Sequence, residues 1–388
     1  MTLLERLDAA IALTDEERML LDSVHVLACD QIAPRAAEYD RTGEFPWDNI
    51  RAINQLGLNA MFVPEAYGGA AMSYTAYLAC VREISRACAA TGIIWATNYH
   101  GMKPLIDWGT EEQKQRLLPR IAEGGLGALA ITEPGAGSDA TGMRTTFRED
   151  GDSIVVNGGK TFITNGDVAE LFLLFGKWDG VAGAKESISV LVLEKGTPGL
   201  SVVRLEDKMG TRASSTATLA FDNCRVPRSN LLGNPGDGLK ILFASLNKSR
   251  PSVAAHALGI ARAAFEDAVD YINERRQSGR RILEFQGIQF MVADLASELL
   301  LVESLLWQLA RAVDAGAKDF GMEASVLKMR ASDLAMKAAT ESVQLLGGYG
   351  YCKDYRVERL MRDAKITQIW EGTNQVHRQL VGRSFLRR

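Results

Sequence analysis

The residue best suited to acting on a carbon–hydrogen bond lies near the carboxy terminus, in the stretch QIWEGTNQVHRQLVGR at 368–383. There Glu371 stands between the large apolar pair Ile369 and Trp370 and the turn-forming Gly372 and Thr373. A carboxylate kept dry by such neighbours is a stronger base than one in water, which is what proton abstraction needs. The competing reading of these residues alone is an exposed glutamate at a helix start, favoured there by the helix dipole.

Two further clusters can hold a ligand. ITEPGAGSDA, residues 131–140, formally satisfies the dinucleotide fingerprint through Gly135, Gly137 and Ala140. Its context is wrong, because Pro134 interrupts the approach and the residues beyond Asp139 lead into a β region, whereas a Rossmann site needs strand, glycine turn and crossover helix. No Gly-Lys-Ser/Thr follows to make a P-loop. What remains is a tight turn whose backbone N–H groups, beside Thr132 and Ser138, can clasp an anionic or ring edge. FITNG, residues 162–166, sets Phe162, able to stack on a ring, two residues before Thr164, able to donate a hydrogen bond. Core packing for Phe162 and turn capping by Asn165 explain those residues equally well.

Other chemistries have less support. Cys29, Cys80, Cys88, Cys224 and Cys352 show no C-x-x-C spacing, and their odd number fits a reducing compartment; each reads as a small buried hydrophobe. His25, His100, His256 and His377 form no H-x-x-x-H pair, so no metal is predicted. A net charge of -4 and the absence of a large basic cluster argue against nucleic-acid binding. The longest basic run, Arg275, Arg276, Arg280 and Arg281, reads either as a solvated helix end or as a seat for a phosphorylated ligand.

The elements that must position these residues follow from periodicity. Up to about residue 125, apolar residues recur three or four apart, as in TAYLACVREISRACAATGIIWA, and Pro64 with Gly68 and Gly69 punctuates an all-α segment. The period then becomes two in DSIVVNGGKTFITNG, SISVLVLE and STATLAFDNCRVP, with Asn157-Gly158 predicting a type I′ hairpin turn; the short strands suit a small barrel or sandwich. Three long amphipathic stretches follow, the last stopped at Gly347-Gly348 by a predicted αL cap, and imply an antiparallel helical bundle. The chain is therefore an α+β protein of three domains: helical over 1–125, β over 126–234, and a four-helix bundle over 235–388. Its amino terminus reads as a structural helix and not as a secretory signal, and no window reaches the ~18–20 apolar residues of a membrane span. Cytoplasmic location is expected, or an organelle matrix if a presequence was removed.

ITEPGAGSD, FITNG, VQLLGGYGY and LMRDAKITQIWEGTNQ occur in that order across an α, β, α chain, and by them the sequence resembles the acyl-CoA dehydrogenase family along almost its whole length. Its nearest-looking members are the short- and medium-chain enzymes. The resemblance implies an FAD-dependent oxidoreductase that converts an acyl-CoA to a trans-2-enoyl-CoA. Ile131, Thr132 and Ser138 match the loop that touches the flavin and the phosphopantetheine. Phe162, in place of the frequent Trp, and Thr164 match residues covering the isoalloxazine. Arg275, Gln277, Phe285, Gln286, Gln344, Gly347 and Gly348 match positions holding the ADP portion of FAD, some of them on a neighbouring subunit, and arginine suits pyrophosphate there. Thr373 and Gln375 match further flavin contacts, and Asn247 and Arg250 match the acyl-CoA side.

Glu371 matches the base that takes the α proton while the β hydride passes to flavin N5, its own N–H and the ribityl 2′-hydroxyl holding the thioester oxygen. Some relatives carry the base near residue 249, where this chain has Ser249, which cannot serve without an activating base. Trp370 stands where Tyr is common and implies a short, branched or ring-bearing acyl group. An electron-transfer flavoprotein as oxidant and a homotetramer built as a dimer of dimers also follow from the resemblance. A flavin oxidase or monooxygenase on the same scaffold, or a dehydrogenase of a carrier-protein thioester, are the alternatives it leaves.

Overall fold

The computed structural model describes residues 2–386. Seven helices come first: α1 (Leu3–Ala9), α2 (Asp15–Leu27), α3 (Ala36–Thr42), α4 (Trp47–Gln55), α5 (Tyr74–Ala87), α6 (Ala89–Trp108) and α7 (Glu111–Ala122). Their starts are written in the sequence. Thr14 with Glu17 closes a capping box on α2, and Thr110 with Gln113 closes one on α7, each satisfying two otherwise orphaned N–H groups.

The chain then enters β1 (Gly127–Ala130), β2 (Thr146–Asp150), β3 (Ser153–Thr164), β4 (Leu171–Trp178), β5 (Ile188–Glu194), β6 (Leu200–Leu205), β7 (Thr216–Pro227) and β8 (Leu231–Leu232). The sheet order is β6-β7-β3-β2-β4-β5-β8, with β1 also paired, parallel, to β4. It curls so that residues of β4 and β5, such as Leu174 and Leu193, share one apolar layer with Ile154 of β3 and Leu219 of β7. A second layer, including Leu173, Val190 and Val192, packs against Leu105 of α6 and Leu117 and Leu118 of α7.

The hairpin predicted at Asn157-Gly158 is not there. β3 runs straight through that pair, and the hairpin lies one turn earlier, between β2 and β3, where Asp150 pairs with Ser153. Asn157-Gly158 instead marks a register irregularity against β7. Gly158 takes φ +144°, and a Cβ there would sit 2.6–2.9 Å from Thr145, so glycine is used for close approach inside a strand.

After the sheet come α8 (Gly238–Glu274), the two-residue strands β9 (Arg276–Gln277) and β10 (Arg280–Arg281), α9 (Gln286–Asp314), α10 (Gly321–Leu346), α11 (Val357–Thr367) and α12 (Asn374–Arg383). α8, α9, α10 and α11 pack on one another, and α8 also meets α5 and α6, so that one apolar core, including Leu78, Ile94, Leu258, Leu299, Leu327 and Leu360, joins the first segment to the last. Gly347 does end α10 at positive φ, +61°, but with ψ −137° in place of the αL cap expected. Of the five cysteines, Cys80, Cys88 and Cys224 are buried, whereas Cys29 and Cys352 are exposed, against the expectation that all would be core residues. Among the described residues no helix is long and apolar enough to cross a membrane.

Candidate active site

Glu371 occupies the short link between α11 and α12, two residues before Thr373, whose hydroxyl caps α12 by accepting from the Val376 N–H at 3.3 Å. It is half-buried, and its backbone lies at φ +54°, a left-handed conformation that costs a non-glycine residue on the order of 1 kcal/mol or more. Such strain persists only where the surroundings fix it. Lys328 of α10 donates to the Gly372 carbonyl at 2.7 Å and to Asn374 Oδ1 at 3.1 Å. Asn374 in turn donates to Ser332 Oγ at 2.9 Å and to Asp333 Oδ1 at 2.8 Å, tying the link to α10 from both ends. The Glu371 carboxylate accepts from Ser249 Oγ of α8 at 2.7 Å.

Charge around the carboxylate is arranged on three helices. Arg250 of α8 is 6 % exposed; burial lowers its pKa, and the Glu371 charge opposes that shift. Burial pushes the fully enclosed Lys328 ammonium down to about 7, again against the pull of Glu371. His100 of α6 is shifted down by burial and back towards its ordinary value by Glu371. His256, whose Nδ1 lies 2.9 Å from Ser85 Oγ, is held neutral by burial, pushed down to about 3, and its ring packs 5.5 Å from that of Trp370. His377, completely buried beneath Gly372, is pushed down to about 4. The Glu371 carboxylate therefore lies within electrostatic reach of Arg250, Lys328 and His100.

Pro251 helps present this face of α8. It lies inside the helix and has no N–H for the carbonyl of Asn247, so the ladder is interrupted in the turn that carries Asn247, Ser249 and Arg250. Arg250 Nη1 lies 3.4 Å from both Asn247 Oδ1 and Ser325 Oγ, which are long bonds, and its buried Nε has no partner among the described residues.

The glycine-rich loop folds as a tight turn. Glu133 and Ala136 exchange backbone hydrogen bonds at 3.1 and 3.0 Å, and no crossover helix follows, which removes the dinucleotide fingerprint as a site. The anchor of this loop is a residue the sequence reading passed over. Glu133 turns inward and accepts from Lys160 Nζ at 2.7 Å and from the Arg144 and Thr145 N–H groups at 2.6 and 3.0 Å. Lys160, wholly enclosed and pushed down to about 8 by burial, also donates to the Ile131 carbonyl at 2.8 Å, and the Thr161 N–H donates to the Thr132 carbonyl at 2.9 Å. Ile131 and Thr132 are half-buried and Ser138 is exposed.

In FITNG the backbone turns sharply: Phe162 at φ +59° and Asn165 at φ +61° are both left-handed. Phe162 is 62 % exposed, which rejects the core-packing reading and leaves a flat aromatic face held outward on a fixed strand. Asn165 is the structural member, donating to the carbonyls of Ile94 and Gly127 at 3.2 Å and so locking the strand to α6 and β1. Thr164 is half-buried beside it.

The remaining predicted positions lie elsewhere. Arg275, Gln277, Gln344, Gly347 and Gly348 line a cleft of about 640 Å³ at the far end of α8, with Arg275 5.7 Å over the Tyr349 ring. Phe285 and Gln286 open α9 nearby, and Arg280 lies 3.9 Å over the Phe285 ring. Ser249 and Arg275 are separated along α8 by roughly 39 Å at 1.5 Å per residue. Gln375 is exposed on α12. The predicted cofactor residues thus do not gather at one place: Arg275, Gln277, Gln344, Gly347 and Gly348 share the cleft at the end of α8, whereas Thr132 and Phe162 lie on the turn and strand joined by the Thr161–Thr132 bond.

Lys328 and His377 were missed. Each carries a sequence signal, since Lys328 falls on the buried stripe of α10 with Ala324, Leu327, Ala331 and Ala335, and His377 lies one turn after the capping Thr373.

Comparison with known proteins bears on the whole chain. Residues 14–125, 128–224 and 236–386 match the N-terminal, middle and C-terminal domain models of acyl-CoA dehydrogenases. An acyl-CoA dehydrogenase of Bacillus subtilis is 44% identical over 375 residues, covering 96% of this chain and 98% of the relative. Among solved structures, butyryl-CoA dehydrogenase from Megasphaera elsdenii superposes with a TM-score of 0.94 at 38% identity, covering 97% of this chain and 99% of that one. A chain from the structure of the electron transferring flavoprotein of Acidaminococcus fermentans does so at 0.94 and 42%, with the same coverage. The chain belongs to the acyl-CoA dehydrogenase family, FAD-dependent oxidoreductases that act on the CH–CH group of acyl-CoA thioesters.

Proposed function

We propose that Glu371 is the base that removes the α proton of a short acyl-CoA, and that the product is the trans-2-enoyl-CoA. The observation that carries this reading is the pinned link: a strained, half-buried carboxylate held by Ser249 from one helix and by the Lys328–Gly372 bond from another. Among the described residues the Glu371 N–H makes no hydrogen bond, which leaves a donor free for the thioester oxygen as negative charge develops on it. Arg250 and Lys328 add positive charge nearby, and the apolar surroundings strengthen both effects by excluding water.

FAD fits the two groups of residues. The outward face of Phe162 beside Thr132 and Thr164 suits the ring, with Ile131, Ser138, Thr373 and Gln375 at its margins. The cleft of Arg275, Gln277, Gln344, Gly347 and Gly348, with Phe285 and Gln286, suits the ADP portion carried in by a neighbouring copy of the chain. Bound there, FAD supplies the acceptor for the β hydride. Because the cleft at the end of α8 is proposed to serve the FAD of a neighbouring copy, we place the protein in a homotetramer.

Asn247 and Arg250 face the thioester side, and Trp370, packed against His256, closes the acyl end; this bulk favours a short chain, in keeping with the butyryl enzyme it resembles. An electron-transfer flavoprotein is the proposed oxidant of the reduced enzyme, and the cytoplasm its proposed location. The test is Glu371→Gln: flavin reduction by substrate in stopped flow should fall by several orders of magnitude while FAD and ligand remain bound. Reduction at the unchanged rate would remove Glu371 from the mechanism.

A further inference from the structure

Ser249 is 1 % exposed, lies on α8 beside Arg250, and has one short bond to a charged group: its hydroxyl is 2.7 Å from Glu371 Oε2, against 3.3 Å to the Leu246 carbonyl one helical turn back. A serine inside a helix ordinarily returns its proton to the preceding turn. Here the shorter, charge-assisted bond leads away from its own helix to the link between α11 and α12.

The geometry assigns Ser249 as a positioning residue for Glu371, its hydroxyl fixing Oε2 so that Oε1 is the oxygen presented to the substrate. This rests on Glu371 being the base. The link fixes only the backbone of Glu371, through Lys328 on the Gly372 carbonyl and Asn374 on α10. The side chain beyond it retains three rotatable bonds. No other hydrogen bond within normal distance reaches its carboxylate among the described residues, so Ser249 is the group that selects the rotamer. Arg250 and Lys328 attract the carboxylate without direction, because a screened charge has no preferred angle, whereas a hydroxyl donor does. Proton abstraction depends on that angle, since a carboxylate turned away from the α carbon loses most of the advantage of proximity.

The experiment compares Ser249→Ala, Ser249→Thr and Glu371→Gln as purified holoenzymes, with butyryl-CoA as the probe. Two rates are read: flavin reduction, and exchange of α deuterium with solvent in a thioester whose β carbon is replaced by sulfur and which therefore yields no hydride. Ser249→Ala should slow both by about tenfold or more, the scale of losing a hydrogen bond to a charged group. FAD content and the Kd of the sulfur analogue should not change. Ser249→Thr, which keeps the hydroxyl, should restore both rates. Unchanged rates in Ser249→Ala, or equal slowing in the alanine and threonine variants, would overturn the assignment. Wild-type reduction in Glu371→Gln would instead overturn the choice of base, which separates the two failures.

Discussion

Lys328 reaches from α10 to the Gly372 carbonyl, 2.7 Å away, and so holds the link that carries the strained carboxylate Glu371. A lysine with no exposed surface is costly, and burial takes this one down to about 7. That cost is offset only if the carbonyl and Asn374 must be held. Lys328→Met keeps the volume and removes the donor. Turnover should fall about tenfold or more, because the Glu371 backbone is then free to leave its left-handed conformation, while thermal stability should move by no more than ~3 kcal/mol. Stopped-flow reduction with parallel melting curves checks both; wild-type turnover in this variant would show that the link holds itself.

The three-segment architecture was legible because it leaves local signals, periods of 3.6 or 2, and Glu371 stood out as a carboxylate between an apolar pair and a glycine. Asn157-Gly158 misled because the dipeptide favours a turn wherever φ is positive, and a strand with no room for a side chain against Thr145 needs the same glycine. The Glu133–Lys160 pair was invisible for a different reason. Each residue alone reads as a solvated charge, and only a fold that brings β3 beside the glycine-rich turn makes them partners. Ser249 entered the sequence reading only as a position unable to act as base, and its bond to Glu371 spans 122 residues, which no periodicity encodes.

Phe162 combines an unusual backbone with an unusual exposure, φ +59° and 62 %. An exposed aromatic held in strain has its energy returned by something that covers it. Phe162→Ala should leave the stability of the FAD-free protein within about 0.5 kcal/mol, as for other surface changes. Its affinity for FAD should weaken by about tenfold, as expected from loss of one stacking face. Titration of the FAD-free protein with FAD, followed by flavin fluorescence, measures this directly, and equal affinity would move the ring elsewhere.

The Arg275 cleft makes a prediction about cofactor occupancy. Placed by the proposed function against the ADP portion of the cofactor and not its ring, the guanidinium has no direct effect on proton abstraction available to it. Arg275→Ala should nevertheless lower FAD occupancy, with the loss growing at low ionic strength relative to wild type as the charge-assisted contact to phosphate disappears. Once saturated with FAD, the variant should reduce at the wild-type rate. A saturated variant that remains slow would mean the cleft serves another purpose.

The buried imidazoles set an acid limit on stability. His256 is pushed down to about 3 and His377 to about 4, and His100 is also lowered, in each case because burial disfavours the charged ring. Unfolded, all three take up a proton near pH 6.5. Between that pH and the folded values the unfolded chain binds more protons, so stability is fully present above about pH 6.5 and is lost as pH falls, at up to about 1.4 kcal/mol per pH unit for each ring. Asp363 acts in the opposite sense: burial raises it to about 6, so between about 4 and 6 the folded chain holds a proton that the unfolded one has released. Three rings outweigh one carboxyl. The melting temperature should therefore fall between pH 6.5 and 5, well before most carboxylates titrate. His377→Gln, which removes one ring, should make that fall shallower. A melting temperature that is flat or rises across this interval would contradict the neutral state assigned to these buried rings.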